Sequence, residues 1–340
     1  LPLLSLAGYY TMFPMNKQAL RADMLLLLTA CIWGFAFVAQ RTGMEYMGPF
    51  TFNGIRFLLG SFSLVPLLLF RFRAPVRAAG TAGKTPLSGR RIDAKTGKPL
   101  TFRVFFGSSA LAGTCLFLAA TLQQIGIIYT TAGNSGFITG LYVVLTPIFG
   151  IFLGKKTRLP TWIGAALTFT GLFFLGAASQ IFGRDAVSRS FAINTGDMIT
   201  AVSALFWTFH VLIIDNLVRR VDALALSAGQ FFFCGFFSLV IACFAETIVP
   251  ARLAAALVPI LYGGICSVGV AYTLQVVAQK YAPPAHATIL LSLEGTFAAI
   301  GGVLILSEPL GTWTLLGFAL MLSGMLATQW DLIAGKKGIN

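Results

Sequence analysis

The sequence predicts an all-α integral membrane protein with ten transmembrane helices, arranged as two inverted five-helix repeats. The first observation is composition: 57% of the residues are hydrophobic and 10% are charged, whereas soluble domains carry about 25% charged residues. The second is a set of apolar runs long enough to cross about 30 Å of hydrocarbon as helices. The third is an internal duplication. The ten runs lie at 22–42, 49–70, 103–127, 132–153, 160–178, 195–216, 223–245, 253–278, 286–306 and 311–332.

The duplication is visible in two parts of the chain. Thr121–Gln123, followed by Tyr129, recurs as Thr273–Gln275, followed by Tyr281, at an offset of 152 residues. Each copy then reaches a Trp and two glycines, which we interpret as helix-packing positions: Trp162, Gly164 and Gly171, then Trp313, Gly317 and Gly324. Nearer the N-terminus the offset is 174, and the aligned residues are Trp33 with Trp207 and Arg56-Phe57 with Gln230-Phe231.

Each repeat contains an odd number of helices, and this number determines the membrane orientation of the second repeat. Five crossings leave the chain on the opposite side of the membrane, so the second repeat is inverted, as in many transporters built from repeats. The expected division is an N-terminal segment 1–20, a first repeat 21–178 with a basic loop 71–103, a connecting loop 179–194, a second repeat 195–332 and a tail 333–340. Residues 1–14 are interpreted as upstream translated sequence or a fragment edge.

The net charge of +13 indicates orientation in the membrane rather than a nucleic-acid partner. If both termini are cytoplasmic, nineteen Lys and Arg residues lie on the cytoplasmic side and four lie outside, with Arg56 inside a helix. This asymmetry follows the positive-inside rule. It predicts a multi-pass protein of the plasma or inner membrane with both termini in the cytoplasm.

Glu294 is the one acidic residue near the middle of a predicted helix, in the run 286–306. A charge at membrane depth is costly and usually faces a partner or a cavity. Its aligned residue in the first repeat is Tyr142, so symmetry does not require a carboxylate there. Glu294 is therefore predicted to carry substrate binding or proton coupling. The alternative is a carboxyl held in an interhelical hydrogen bond.

Arg56 lies about two turns into the run 49–70 and is predicted to line or brace the cavity, either as a substrate contact or as a structural clamp. His210 stands one turn beyond Trp207. A membrane His most often makes an interhelical hydrogen bond, and a substrate or proton role is the second interpretation. The remaining candidate substrate or coupling residues are Trp33, Tyr142, Trp207, Gln123 and Gln275.

These residues resemble the EamA-type family of the drug/metabolite transporter superfamily, over nearly all of residues 22–332. The similar segments are Trp33-Gly34, Arg56-Phe57, YTTAGNSGFITGLYVVLTPIF with Trp162–Gly164, YAPPAHATILLSLEGTFAAI, Ser307–Leu310 and Trp313. The resemblance implies ten helices in two repeats, a substrate path between the repeats, and secondary transport, often export of amino acids or related metabolites.

Two positions depart from the family pattern. Lys155-Lys156 stand where the family often has an acidic residue at the end of the fourth helix. Gly295 follows Glu294 where the family commonly has Pro. The second change leaves the carboxyl group in place but alters the helix geometry expected around it.

The leading hypothesis is a secondary transporter of a small metabolite, embedded in the lipid bilayer, with proton or ion coupling and oligomeric state left open. Three alternatives remain: multidrug or amphipathic efflux, a non-transporting membrane subunit, and an intramembrane enzyme such as a protease or acyltransferase. The chain contains neither HExxH nor GxSxG, which argues against an enzyme. No cofactor or metal is expected.

Overall fold

The computed structural model describes residues 17–73, 102–130, 132–176, 195–306 and 312–328, and these residues form helices without strands. Within them, seven helices are long and apolar enough to span a membrane. They are Gln18–Gly43, Pro49–Phe70, Phe102–Tyr129, Thr195–Leu217, Ala223–Ala245, Leu257–Ala278 and Pro284–Ile305. Two shorter apolar helices are Tyr142–Phe152 and Leu315–Ala327. The chain is therefore a multi-pass membrane protein.

The helices follow the predicted runs closely, with the following bounds. The first half contains α1 Lys17–Gly43, α2 Pro49–Ser63, α3 Val65–Arg73, α4 Phe102–Tyr129, α5 Ala132–Thr139, α6 Tyr142–Phe152 and α7 Leu159–Gly176. The second contains α8 Thr195–Leu217, α9 Ala223–Ala245, α10 Pro250–Ala255, α11 Leu257–Leu261, a π-helical segment Tyr262–Tyr272, α12 Thr273–Ala278, α13 Pro284–Leu291, α14 Glu294–Leu306 and α15 Thr312–Thr328.

Four predicted runs are interrupted, which corrects the expectation of continuous helices. The run 49–70 breaks at Leu64, where Pro66 lacks the amide hydrogen needed to continue the backbone ladder. The run 253–278 contains the π-helical segment, a geometry often found at functional sites. The other two interruptions, in 132–153 and 286–306, lie at positions related by the 152-residue offset.

The breaks between α5 and α6 and between α13 and α14 share one backbone geometry. In each, two amides at matching positions bond three residues back instead of four, and at the first break Val144 N does the same with Leu141 O. Such bonds form a 3₁₀ turn inside a membrane helix. The matched bonds are Leu141 N to Ile138 O with Leu293 N to Leu290 O, and Val143 N to Gly140 O with Gly295 N to Ser292 O. As a result, Glu294 begins α14 instead of lying within one continuous helix.

The duplicated glycines of the two halves pack on each other where α7 crosses α15. A Cβ atom on Gly171 would lie 2.7 Å from Gly317 O, and one on Gly324 would lie 2.7 Å from Gly164 O. Both distances are too short for a real side chain, so these positions require glycine for the backbones to approach. The crossing is therefore reciprocal, because the glycine pair of α7 contacts the equivalent glycine pair of α15.

Aromatic duplicates meet in the same way at the centre of the molecule. The ring centroids of Trp33 and Trp207 are 6.5 Å apart, and those of Phe57 and Phe231 are 6.3 Å apart. Contacts between equivalent residues are the pattern that a two-fold relation produces.

The ends of several helices are fixed by charged side chains. Glu246, after α9, accepts hydrogen bonds from the amides of Phe50 and Thr51 at 2.8 Å, which satisfies the first turn of α2. Lys155 pairs with Asp215, and Arg219 also contacts Asp215 at 3.3 Å. The lysine that departs from the family pattern thus has a specific partner. Most of the basic loop, the loop 179–194, Glu308 and the tail 333–340 lie outside the described residues.

Candidate functional site

A central pocket lies between the two halves at the level of the two helix breaks. Its volume is about 30 Å³, which is room for about two water molecules. It is lined by Trp33, Phe37, Gln40, Gln123, Thr139, Tyr142, Trp207, Val211, Ser267, Tyr272, Gln275, Leu291 and Glu294. Six of the eight candidate residues, namely Trp33, Gln123, Tyr142, Trp207, Gln275 and Glu294, are in this set.

A hydrogen bond across the pocket joins the two aligned positions. The hydroxyl of Tyr142 donates a hydrogen bond to Glu294 Oε1 at 2.9 Å. Glu294 is 4% exposed and Tyr142 is also 4% exposed, so neither side chain faces lipid or bulk water. The first residue of α6 and the first residue of α14 therefore connect the two halves directly.

Glu294 is held in place by the close approach of α1 to α14. A Cβ atom on Gly34 would lie 2.8 Å from Glu294 O, so only glycine allows the two backbones to come this near. The space beside Gly34 is thus filled by the backbone of the helix that carries Glu294. With the backbone fixed, the Glu294 side chain is aimed into the pocket.

Three aromatic rings form one wall of the central pocket. The ring centroid of Tyr272 lies 4.4 Å from that of Trp33 and 5.9 Å from that of Trp207, on which it stacks. The Trp33 indole donates to Ser267 O at 3.3 Å. Such faces attract cations and apolar groups alike, so the wall suits an amine beside a hydrocarbon portion.

The pocket also contains polar atoms that have no hydrogen-bond partner among the described residues. These atoms are the acceptors Gln40 Oε1 and Gln275 Oε1 and the donor Trp207 Nε1. By contrast, Gln123 Nε2 donates to Thr139 Oγ1 at 2.8 Å. An unpaired buried polar atom costs about 1 to 3 kcal/mol, and a ligand that pairs with it removes that cost.

Arg56 lies outside the set of residues that line the pocket. It is 1% exposed, its Nε donates to Asn53 Oδ1 at 2.9 Å, and its guanidinium carbon lies 4.9 Å from the Phe57 ring centroid and 5.4 Å from that of Phe52. Among the described residues it forms no ion pair. Arg56 therefore packs within the wall around the pocket, where cation–π contacts stabilise its charge.

His210 is likewise absent from the pocket lining. It is fully buried, and its Nε2 lies 2.8 Å from Gln230 Oε1. Gln230 belongs to α9, so this is a hydrogen bond between neighbouring helices. His210 therefore contacts the residue that aligns with Arg56, and both members of this aligned pair lie in the wall around the pocket.

Tyr272, Gln40 and Phe37 line the pocket but were not among the sequence candidates. A helical signal could have identified them, because residues three or four apart share one face of a helix. Phe37 and Gln40 follow Trp33 at four and seven residues, and Tyr272 precedes Gln275 by three. Including the residues that share a helix face with each candidate would have identified all three.

The described residues contain no cluster of three or more His, Cys, Asp or Glu side chains that could hold a metal ion. One carboxyl group, three amides, four hydroxyl groups and an aromatic wall line the pocket, and together they can bind a small polar molecule reversibly. Glu294 is the single acidic side chain that lines the pocket.

Comparisons with known proteins agree with this arrangement. The EamA-like transporter family model matches residues 20–177 and 194–329. An uncharacterized transporter of Archaeoglobus fulgidus is 30% identical over 294 residues, covering 86% of this chain and 80% of that protein. The uncharacterized transporter YoaV of Bacillus subtilis is 20% identical over 301 residues, covering 88% and 94%.

A solved crystal structure has a similar fold. It superposes with a TM-score of 0.68 at 16% identity, and the match covers 93% of this chain and 99% of the other. The family and the names of the relatives indicate transporters, not enzymes. The resemblance found in the sequence is confirmed, and the chain belongs to the EamA-like transporter family.

Proposed function

We propose that the protein is a secondary transporter that exports an amino acid or a related small metabolite across the cytoplasmic membrane by alternating access. The observation that carries this proposal is the Tyr142–Glu294 hydrogen bond, which joins the two halves inside a shared pocket. A site formed between repeats at aligned positions is typical of secondary transporters.

The polar groups of the pocket support this substrate class. Glu294 and the oxygens of Gln40 and Gln275 can accept hydrogen bonds from an ammonium group. The indole N–H of Trp207 has no partner among the described residues and can donate to a carboxylate. An amino acid carries both groups on one carbon, so a single small molecule satisfies both kinds of atom.

The small volume of the pocket indicates an occluded conformation. About 30 Å³ holds water but no amino acid, so the pocket has to open to either side during transport. The two 3₁₀ turns beside Tyr142 and Glu294 are natural hinges, because short 3₁₀ stretches inside helices often mark sites of bending. Bending at one hinge at a time would open one side while the other stays closed.

The proposed architecture is ten membrane spans in two inverted repeats, residues 21–178 and 195–332. Four contacts between duplicated positions support it: Tyr142 with Glu294, Trp33 with Trp207, Phe57 with Phe231, and the glycines of α7 with those of α15.

The proposed orientation places both termini and the basic loop in the cytoplasm. It is supported by the distribution of Lys and Arg. In a cysteine-free background, an impermeant thiol reagent added to intact cells is expected to label Cys introduced at Ser188 but not at Ser88. Labelling at position 88 with protection at 188 would reverse the orientation.

The transport function is tested by counterflow in proteoliposomes that contain the purified protein. Liposomes loaded with one amino acid at a time are diluted into trace amounts of the same labelled compound. We expect saturable uptake for a restricted group of amino acids and none in liposomes without protein. If no amino acid or related amine is exchanged by a folded, monodisperse protein, the proposed substrate class is wrong.

A further inference from the structure

A second and larger cavity lies at the end of the molecule that carries Lys155. Its volume is about 290 Å³, enough for a metabolite-sized ligand. We call it the mouth cavity and define it by Thr146, Lys155, Lys156, Arg158, Tyr281 and His286, which all line it. Thr146 is one turn along α6 from Tyr142, about 6 Å by helical rise, so the mouth cavity adjoins the central pocket without sharing its polar residues.

The charges around the mouth cavity are mainly positive. Three basic side chains line it, Lys155, Lys156 and Arg158, and one acidic side chain, Asp23. Lys155 is already paired with Asp215, so the excess charge comes from Lys156 and Arg158. Asp23 is engaged by His286 Nε2 at 2.8 Å. Lys156 is exposed at the rim, where its ammonium group can turn toward a ligand. An anion in this cavity therefore meets an excess of positive charge.

Two helices also begin at the mouth cavity. α13 starts at Pro284 and has no side-chain cap, and α7 starts at Leu159, beside the lining residues Arg158 and Pro160. Pro160 and Pro284 carry no amide hydrogen, and the amides of Thr161 and Trp162 bond to Arg158 O at 3.1 and 3.3 Å. The two helix ends therefore act mainly through the partial positive charge of a helix N-terminus, which favours anions. Both helix ends thus reinforce the positive field of the side chains.

Thr146 provides an independent indication of a ligand. Its side chain is 1% exposed, lines the cavity, and its Oγ1 has no hydrogen-bond partner among the described residues. A hydroxyl in a helix usually bonds to a backbone carbonyl one turn earlier, as Thr170 does with Ala166 O at 2.8 Å. The Thr146 hydroxyl is thus a buried, unpaired group in the wall of the mouth cavity.

We propose that the mouth cavity is a binding site for an anionic group, a carboxylate or a phosphate, distinct from the central pocket. Lys156 and the helix N-termini hold the negative charge, and Thr146 donates a hydrogen bond to one of its oxygens. The group belongs either to a soluble metabolite or to an anionic lipid head group, which share this chemistry. The site does not depend on the proposed transport function, because binding is measured without flux.

The test is calorimetric titration of the full chain in phosphatidylcholine nanodiscs with sodium phosphate and, separately, sodium acetate, against sodium chloride of equal ionic strength. We expect saturable binding of phosphate or acetate and none of chloride. Thr146→Val and Lys156→Gln are each expected to weaken binding about tenfold, as loss of a hydrogen bond to a charged group does.

Thr168→Val is the matched control. Thr168 is also fully buried with an unpartnered hydroxyl, but it does not line the mouth cavity, so this variant is expected to bind like the parent. Absence of saturable binding in the folded parent would overturn the proposal. So would equal affinities of the parent, Thr146→Val and Lys156→Gln.

A second titration in nanodiscs containing phosphatidylglycerol separates the two sources of the anion. If a lipid head group occupies the site, the apparent affinity for phosphate falls in these nanodiscs. If a soluble anion is the ligand, the affinity stays the same. Either result supports an anion site and assigns its occupant.

Discussion

The crossing of α7 with α15 and the central pocket are both built from duplicated positions. The two regions differ in whether the aligned positions carry the same residue. At the crossing, Gly164 and Gly171 meet Gly317 and Gly324, so aligned positions carry the same residue. In the pocket, the aligned pairs Trp33/Trp207 and Gln123/Gln275 are also identical, but Tyr142 meets Glu294, so one aligned pair carries different residues. The comparison indicates that the helix crossing kept its symmetry throughout, whereas the pocket lost it at the position that carries the carboxyl group.

The difference has a physical reason. Where two helix backbones approach within contact distance, any side chain larger than hydrogen is excluded from both copies. In a pocket, two facing carboxylates would repel each other, and two facing tyrosines would provide no acidic group. A hydroxyl donor opposite a single acceptor is the arrangement that pairs both groups.

The crossing is expected to be the more sensitive of the two regions to added volume. Gly171→Ala places a methyl group 2.7 Å from Gly317 O, and we expect a loss of about 3 kcal/mol in unfolding free energy, at the upper end for overpacking. Thermal unfolding in detergent micelles measures it. Gly107→Ala is the control, because nothing lies within 4 Å of a Cβ atom there; equal stability of the two variants would show that the crossing tolerates side chains.

The wall around the pocket is expected to be next in sensitivity. Arg56→Lys keeps the charge but loses the Nε–H bond to Asn53 and the planar contact with Phe52 and Phe57. We expect a loss of about 2 kcal/mol in stability with an unchanged KM for counterflow. A raised KM at unchanged stability would instead make Arg56 a substrate contact.

The smallest effect is expected at His210. His210→Leu leaves Gln230 Oε1 without its partner, and we expect a loss of about 1 kcal/mol in unfolding free energy. The pH dependence of counterflow should be the same as in the parent, because His210 does not line the pocket. A shifted pH profile would mean that His210 takes part in proton coupling.

Most of the helix positions could be predicted from the sequence, because apolar run length and glycine spacing are properties of single helices. The helix breaks were not predicted. Pro66 was a visible signal for the break at Leu64, but residues 286–293 contain no proline, so the 3₁₀ turn at Leu293 has no such signal. Apolar run length alone does not distinguish a straight helix from one that bends.

The candidate site was predicted in part for a related reason. Residues carried by the duplication or by unusual polarity, such as Trp33 and Glu294, do line the pocket. Arg56 and His210 are equally unusual but lie in the wall, because the rotation of each helix decides whether a polar side chain faces the pocket or a neighbouring helix. That rotation is set by contacts between helices, which the sequence of one helix does not contain.

The most direct test of the account is counterflow by Glu294→Gln across a range of pH. Glutamine keeps the shape and can still accept a hydrogen bond from Tyr142, but it cannot ionise, so folding and thermal stability should remain near those of the parent. We predict that counterflow falls at least about tenfold, the effect of losing one charged contact, or loses its pH dependence. Tyr142→Phe, which retains the carboxyl group, should reduce flux less. Parent-like flux with a parent-like pH profile in Glu294→Gln would contradict the account.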